Sequence, residues 1–202
     1  MEQRAALPAE LFGEGICRVG DVIWQLTWRE RVALRWDPHT LELAGQVRYN
    51  REGWGICAVG DSVVTRDGTS ELVWRDPQTL APQQVIHVRS AGRRVLGLND
   101  LAWAPSSAAP SSAPGGTIWA NVAGTHYLAG IDPASGDVTD IVNARPAAER
   151  HADPQAIMNG IAALPTSEFL LTGKGWQWIR RVRLKPAREG AAQRGLLAGF
   201  SH

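Results

Sequence analysis

Residues 13–21 read Gly-Glu-Gly-Ile-Cys-Arg-Val-Gly-Asp, and residues 53–61 read Gly-Trp-Gly-Ile-Cys-Ala-Val-Gly-Asp. Seven of the nine positions are identical at an offset of 40 residues, so the chain repeats itself. The same phase continues downstream. Asp37-Pro38-His39-Thr40-Leu41 recurs as Asp76-Pro77-Gln78-Thr79-Leu80 and again as Asp132-Pro133-Ala134-Ser135-Gly136. Proline presets φ and aspartate hydrogen-bonds its own backbone, so each copy predicts a turn. Short alternating runs precede the turns, at 32–36, 72–75 and 128–131, and predict strands joined by hairpins.

Two diverged copies complete the series. Asn99-Asp100-Leu101-Ala102 and Asn159-Gly160-Ile161-Ala162 take the place of Glu14-Gly15-Ile16-Cys17. No segment sustains a 3.6-residue apolar period. Units of about 40 residues with roughly four short strands each predict the blades of a β-propeller. The expected fold class is therefore all-β, with four blades at about 12–48, 53–89, 97–142 and 158–184. Residues 1–11 are left as a short N-terminal remnant. The Pro/Ser/Ala/Gly-rich insertion at 105–116 predicts a mobile hairpin loop, residues 143–157 a second long connection, and residues 185–202 a disordered tail.

Composition narrows the function classes. The chain has 202 residues, 21 basic and 20 acidic, for a formal net charge of +1. The basic residues form no long block, which argues against a nucleic-acid partner. No stretch approaches the ~20 apolar residues of a membrane helix, and the N-terminus lacks a signal-peptide core. As written the chain reads as cytoplasmic, without a membrane partner. Two cysteines, Cys17 and Cys57, are too few for a disulfide scaffold, and they read as small buried residues of equivalent strands. Nine tryptophans against three phenylalanines suggest a repeat or a lined cavity.

Equivalent positions of successive blades form a ring around a propeller axis, so the aligned repeat converts sequence into a candidate site. The position just before each inner strand holds Glu14, Trp54, Asn99 and Asn159. A later position, after the next strand pair begins, holds Trp28, Gly68, Ala123 and Lys174. One carboxylate, one ammonium, side-chain amides and indole faces would converge at one mouth of the channel, where a small polar ligand with an aliphatic stem would fit. Glu14 could move a proton, and the amides and Lys174 could bind a carbonyl oxygen. Each residue also has an ordinary reading: Glu14 as a rim turn, the asparagines as turn caps, the indoles as core, Lys174 as a surface lysine. The P-loop pattern, a Ser/His/Asp order and paired histidines are absent from the sequence.

Eight short motifs carry a family resemblance: Phe12-Gly13-Glu14-Gly15, the run Trp24–Trp28, Gly53-Trp54-Gly55, Asp67-Gly68-Thr69, Leu98-Asn99-Asp100, the run Ile118–Asn121, the run Asn159–Ala162 and Thr172-Gly173-Lys174. In this order and spacing the chain resembles the plant and bacterial glutaminyl cyclotransferases over residues 11–184. The resemblance implies a five-bladed propeller, unrelated in fold to the zinc-dependent animal enzymes. It places another blade before Phe12, so the N-terminal blade is expected to be missing or truncated. It implies the conversion of an N-terminal glutamine of peptides or proteins to 5-oxoproline, with release of ammonia. The implied catalytic residues are Glu14, Asn99 and Lys174. The implied substrate-binding residues are Trp28, Trp54, Phe12 and Asn159. No cofactor is required, and a structural metal ion in the channel is compatible, with no ligands assigned. The chain departs from the family at Ala123, where tryptophan is usual, at His126, where aspartate is usual, and at Asp100, where glutamate is usual. Two other readings stay open: an inactive remnant or peptide-binding propeller, and a calcium-dependent lactonase-type enzyme using Glu14, Asn99 and Asn159. Secreted or periplasmic relatives keep the compartment open, as the sequence keeps the oligomeric state open.

Overall fold

The computed structural model describes residues 3–106, 115–148 and 156–185. The centre of the insertion, residues 107–114, and the tail from residue 186 lie outside them. The first blade is built from β1 (Gly13–Val19), β2 (Val22–Thr27), β3 (Val32–Trp36) and β4 (Leu43–Arg48), hydrogen-bonded in that order. The second holds β5 (Gly55–Val59), β6 (Ser62–Arg66), β7 (Glu71–Arg75) and β8 (Pro82–His87) in the same order. A two-stranded ribbon that the repeat did not predict follows, β9 (Arg89–Ser90) with β10 (Arg93–Arg94). The third blade is β11 (Leu98–Pro105), β12 (Gly116–Val122), β13 (Tyr127–Ile131) and β14 (Val138–Asn143). A single helical turn, α1 (Arg145–Ala148), opens the second long connection. The last sheet has three strands rather than four among the described residues: β15 (Ile157–Ala163), β16 (Phe169–Lys174) and β17 (Arg180–Val182).

The repeated residues explain the repeated hairpins. Val19 pairs with Val22 and Val59 with Ser62 across two-residue loops. Gly20 and Gly60 occupy the first loop position at φ +53° and +58°, where a Cβ is disfavoured. The Asp-Pro turns close as predicted. Asp37 Oδ1 accepts from the His39 and Thr40 amides, Asp76 Oδ1 from Gln78 and Thr79, and Asp132 Oδ1 from Ala134 and Ser135, all at 2.7–3.0 Å. The fifth residue of each turn has positive φ: Leu41, Leu80 and Gly136. Leu80 tolerates this strained conformation because its side chain is buried in the core beside Trp24 and Ile56.

These turns make stability pH-dependent. The Thr40 amide, then that of His39, hold the Asp37 carboxyl below the usual aspartate value of 3.8. The Thr79 hydroxyl and the amides of Thr79 and Gln78 do the same for Asp76, and the Ser135 amide leads for Asp132. A depressed carboxyl stabilises the fold above the unfolded value, and that contribution is lost as pH falls through the folded one. The thermal midpoint is therefore expected to drop below about pH 3.8, and in the D37N/D76N/D132N variant this part of the acid loss should disappear. An unchanged acid limb in that variant would rule the turns out as its cause.

The chain divides into two compact units, Met1–Asp67 with Leu72–Val85 and Gly68–Glu71 with Ile86–His202. In the first, Trp24, Leu26, Ala33, Ile56, Val63 and Leu80 form a core, and the fully buried Trp24 donates its indole N–H to the Pro77 carbonyl at 2.8 Å. Cys17 and Cys57 lie on β1 and β5, the equivalent strands expected; Cys57 is buried and Cys17 half-buried. In the second unit, Ala102, Trp119, Leu128, Met158, Ile161, Phe169 and Leu171 pack together, with the Trp119 and Phe169 rings edge to face at 6.0 Å. No helix among the described residues is long and apolar enough to cross a membrane.

Candidate active site

In the first, third and last sheets the two predicted positions meet at one end, where the first strand begins and the second finishes. Gly13 pairs with Thr27, Leu98 with Val122 and Ile157 with Lys174. Glu14 and Trp28, Asn99 and Ala123, and Asn159 and Lys174 therefore share an end, each pair within its own sheet. One detail is corrected. Glu14, Asn99 and Asn159 do not precede their strands; they lie within β1, β11 and β15. Each sits where the ladder shifts register, between Gly13 and Ile16, Leu98 and Leu101, and Met158 and Gly160. In all three, the first strand carries one residue more than its partner, which is a β-bulge. A bulge leaves one residue unpaired and re-aims its side chain, a device common beside active sites. Only Trp54 precedes its strand, and the β5–β6 ladder from Gly55↔Arg66 runs without a shift.

Within the first unit lie the predicted carboxylate and the indoles. The Trp28 amide donates to the Phe12 carbonyl at 3.0 Å, and the two rings lie 5.9 Å apart at a tilt of 60°. The Gly53 amide reaches both the Thr27 and Trp28 carbonyls at 3.0 Å. A Cβ at Gly53 would stand 2.5 Å from the Thr27 oxygen, so only glycine lets the chain pass. The Gly15 amide, next to Glu14, donates to the Trp54 carbonyl at 3.1 Å. Phe12, Glu14, Trp28 and Trp54 thus belong to one backbone-linked cluster, with Phe12 exposed and the other three half-buried. Three charged residues that the repeat did not single out join it. Arg29 places its guanidinium 4.0 Å over the Trp28 ring, Glu52 accepts the Trp54 indole N–H at 3.2 Å, and buried Arg66 lies 5.2 Å from the Trp54 ring. Their only sequence signal is adjacency to the tryptophans or to the glycine motif.

Within the second unit lie the predicted amides and the ammonium. Asp100, in the β11 bulge beside Asn99, accepts from its neighbour Leu101 N–H at 2.9 Å and from Ile161 N–H at 3.1 Å. One carboxylate therefore ties β11 to β15 and holds the bulges that carry Asn99 and Asn159. The Gly97 amide donates to the Gly68 carbonyl at 3.0 Å, and the Ala123 amide to the Gly97 carbonyl at 2.7 Å. This repeats the contact that Gly53 makes with Trp28 in the first unit. Lys174 closes β16 with an exposed side chain. Asn121 of β12 is fully buried, and its side-chain amide has no hydrogen-bond partner among the described residues. Among the described residues no three His, Cys, Asp or Glu side chains gather as a metal-ligand set. A cavity of about 520 Å³ lined by Trp103, Trp119, Asp140 and Phe169 opens at the opposite end of β11 and β12, near Pro105 and Gly116, and contains none of the candidate residues.

Comparisons with known proteins agree on this fold. A family model described as glutamine cyclotransferase matches residues 1–184. A curated protein of Arabidopsis thaliana, named glutaminyl-peptide cyclotransferase, is 28% identical over 185 residues, covering 87% of this chain and 54% of that one. The chain thus spans about half the length of this curated relative. Among solved structures, the Myxococcus xanthus glutaminyl cyclase superposes with a TM-score of 0.76 at 29% identity, over 89% of this chain and 75% of the other. The WD40 β-propeller domain of Doa1 superposes at 0.50 with 7% identity, over 87% of this chain and 51% of the other, a likeness of fold alone. The fold is a β-propeller.

Proposed function

The chain belongs to the glutamine cyclotransferase family, and from that premise we propose that it converts the N-terminal glutamine of peptides or proteins to 5-oxoproline. The observation that carries the reading beyond family membership is the recurrent bulge: Glu14, Asn99 and Asn159 occupy the same distorted position of three blades. A bulge re-aims the side chain it carries and is common beside active sites, and each of these three carries a residue that the proposed chemistry would use.

In the proposed reaction the free α-amine attacks the γ-carboxamide carbon of its own residue. The C–N bond of the lactam forms, a tetrahedral oxyanion appears, and the amide nitrogen leaves as ammonia. Because both partners sit on one residue, holding them in a near-attack geometry supplies much of the acceleration. Glu14 takes a proton from the attacking amine and returns it to the departing nitrogen, general base and then general acid. Asn99 and Lys174 donate to the oxyanion. Trp28, Trp54 and Phe12 flank the aliphatic stem, and Asn159 binds a substrate amide or carbonyl. The chemistry needs no redox or hydrolytic cofactor, because proton transfer and charge stabilisation suffice.

The test is ammonia release from a short peptide with N-terminal glutamine, with and without chelator, against spontaneous cyclisation. Release above the control that resists chelator supports the proposal. No release from folded protein overturns it in favour of a non-catalytic peptide-binding propeller, and release only with calcium would point to a metal-dependent enzyme. Lys174→Ala is expected to lower kcat by roughly a hundredfold, the effect of losing one oxyanion donor, with the thermal midpoint unchanged because the side chain is exposed. Unaltered kcat would return Lys174 to the rim.

A further inference from the structure

We propose that Glu52 and Arg29 are positioning residues that clamp the Trp28 and Trp54 indoles at a fixed separation. This rests on the cyclotransferase reading for its consequence in substrate binding, but the clamp is a physical claim of its own. Glu52 reaches in two directions. Its Oε2 accepts the Trp54 indole N–H at 3.2 Å, and its Oε1 lies 3.9 Å from Arg29 Nε. Arg29 in turn sits over the Trp28 ring, its guanidinium carbon 4.0 Å from the centroid. The sequence of contacts is Trp28, Arg29, Glu52, Trp54, with the Phe12 ring near Trp28 and Arg66 near Trp54.

The backbone sets the two tryptophans beside each other, because the Gly53 amide is bound to the Trp28 carbonyl and Trp54 follows at once. It leaves the side-chain torsions of the indoles free. An indole N–H donor has one direction, so a fixed acceptor orients the ring. A guanidinium stacked on the neighbouring indole orients the other. The ion pair joins the two. Its parts are half-exposed, with side-chain exposures of 66% for Arg29 and 39% for Glu52, so the link is weak singly and screened by salt. Its effect is on the width of the slot between the rings rather than on global stability.

The role separates from catalysis in the kinetics. Glu52→Ala removes both the acceptor and the charge, and is expected to raise KM for a glutaminyl peptide about tenfold with kcat within about twofold. Glu52→Gln keeps an acceptor for the indole but no charge, and should recover to about threefold above the parent. Raising salt should increase the parent KM and leave both Glu52 variants flat. The second readout needs no activity: near-ultraviolet circular dichroism of the folded protein reports the tryptophan environment. It should change in Glu52→Ala, be restored in Glu52→Gln, and shift in Arg29→Gln, with thermal midpoints unchanged. If the parent releases no ammonia but the dichroism behaves this way, the functional reading fails and the clamp stands. If the dichroism is unchanged in Glu52→Ala, or if kcat falls with KM unmoved, the clamp is overturned.

Discussion

Glu14→Gln is expected to reduce ammonia release by a factor of about 10² to 10⁴, the range that one positioned general acid–base supplies. The substitution preserves the volume and hydrogen-bonding reach of the side chain, so the β1 bulge and the Gly15–Trp54 backbone contact should persist. The neutral amide has no lone pair basic enough to take the amine proton and no acidic proton to give the departing nitrogen. KM should change little, because the indoles proposed to flank the substrate remain. The check is kcat and KM on the same glutaminyl peptide, with far-ultraviolet dichroism to confirm the fold. A variant as fast as the parent would remove Glu14 from the mechanism and leave the proton transfer to water or to the substrate itself.

Asp100→Asn is the second substitution expected to have a large effect, and it acts through the fold. The Asp100 carboxylate accepts from two backbone amides at once, Leu101 within its own blade and Ile161 in the next. The asparagine side chain has one carbonyl oxygen to offer. Its amino group would face the other N–H donor, leaving it unpaired and opposed. Losing one charge-assisted hydrogen bond at a half-buried site costs about 1.5–3 kcal/mol. A loss of this size should lower the thermal midpoint by several degrees. Because the bulges of β11 and β15 carry Asn99 and Asn159, kcat should fall as well. Reduced stability with unaltered kcat would show that the asparagines do not depend on the staple. Unaltered stability would show that the Ile161 contact contributes nothing net.

Much of this was legible in the chain. The copy of Gly13–Asp21 at Gly53–Asp61 predicted equivalent strands, and the structure places β1–β2 and β5–β6 there with the same two-residue hairpins. The Asp-Pro turns were legible for a local reason: Asp37, Asp76 and Asp132 bond amides two and three residues ahead, so five residues contain the whole interaction. Family membership was legible because eight motifs keep their order. The β9–β10 ribbon was not, since two-residue strands carry no periodicity and are held by neighbours such as the Val95–Val88 backbone bond.

What the sequence determined by itself was the blade and the residue types that recur along the repeat, because strands, turns and repeats are encoded by local pattern. What only the tertiary structure decided was how those residues are held. The bulges at Glu14, Asn99 and Asn159 arise from the mismatch between two paired strands, which neither strand encodes alone. The staple from Asp100 reaches an amide 61 residues away, and the link from Arg29 to Glu52 joins the β2–β3 loop of the first blade to the connection between β4 and β5. Such contacts depend on which backbones are brought together, and their partners stand too far apart for a local pattern to encode them.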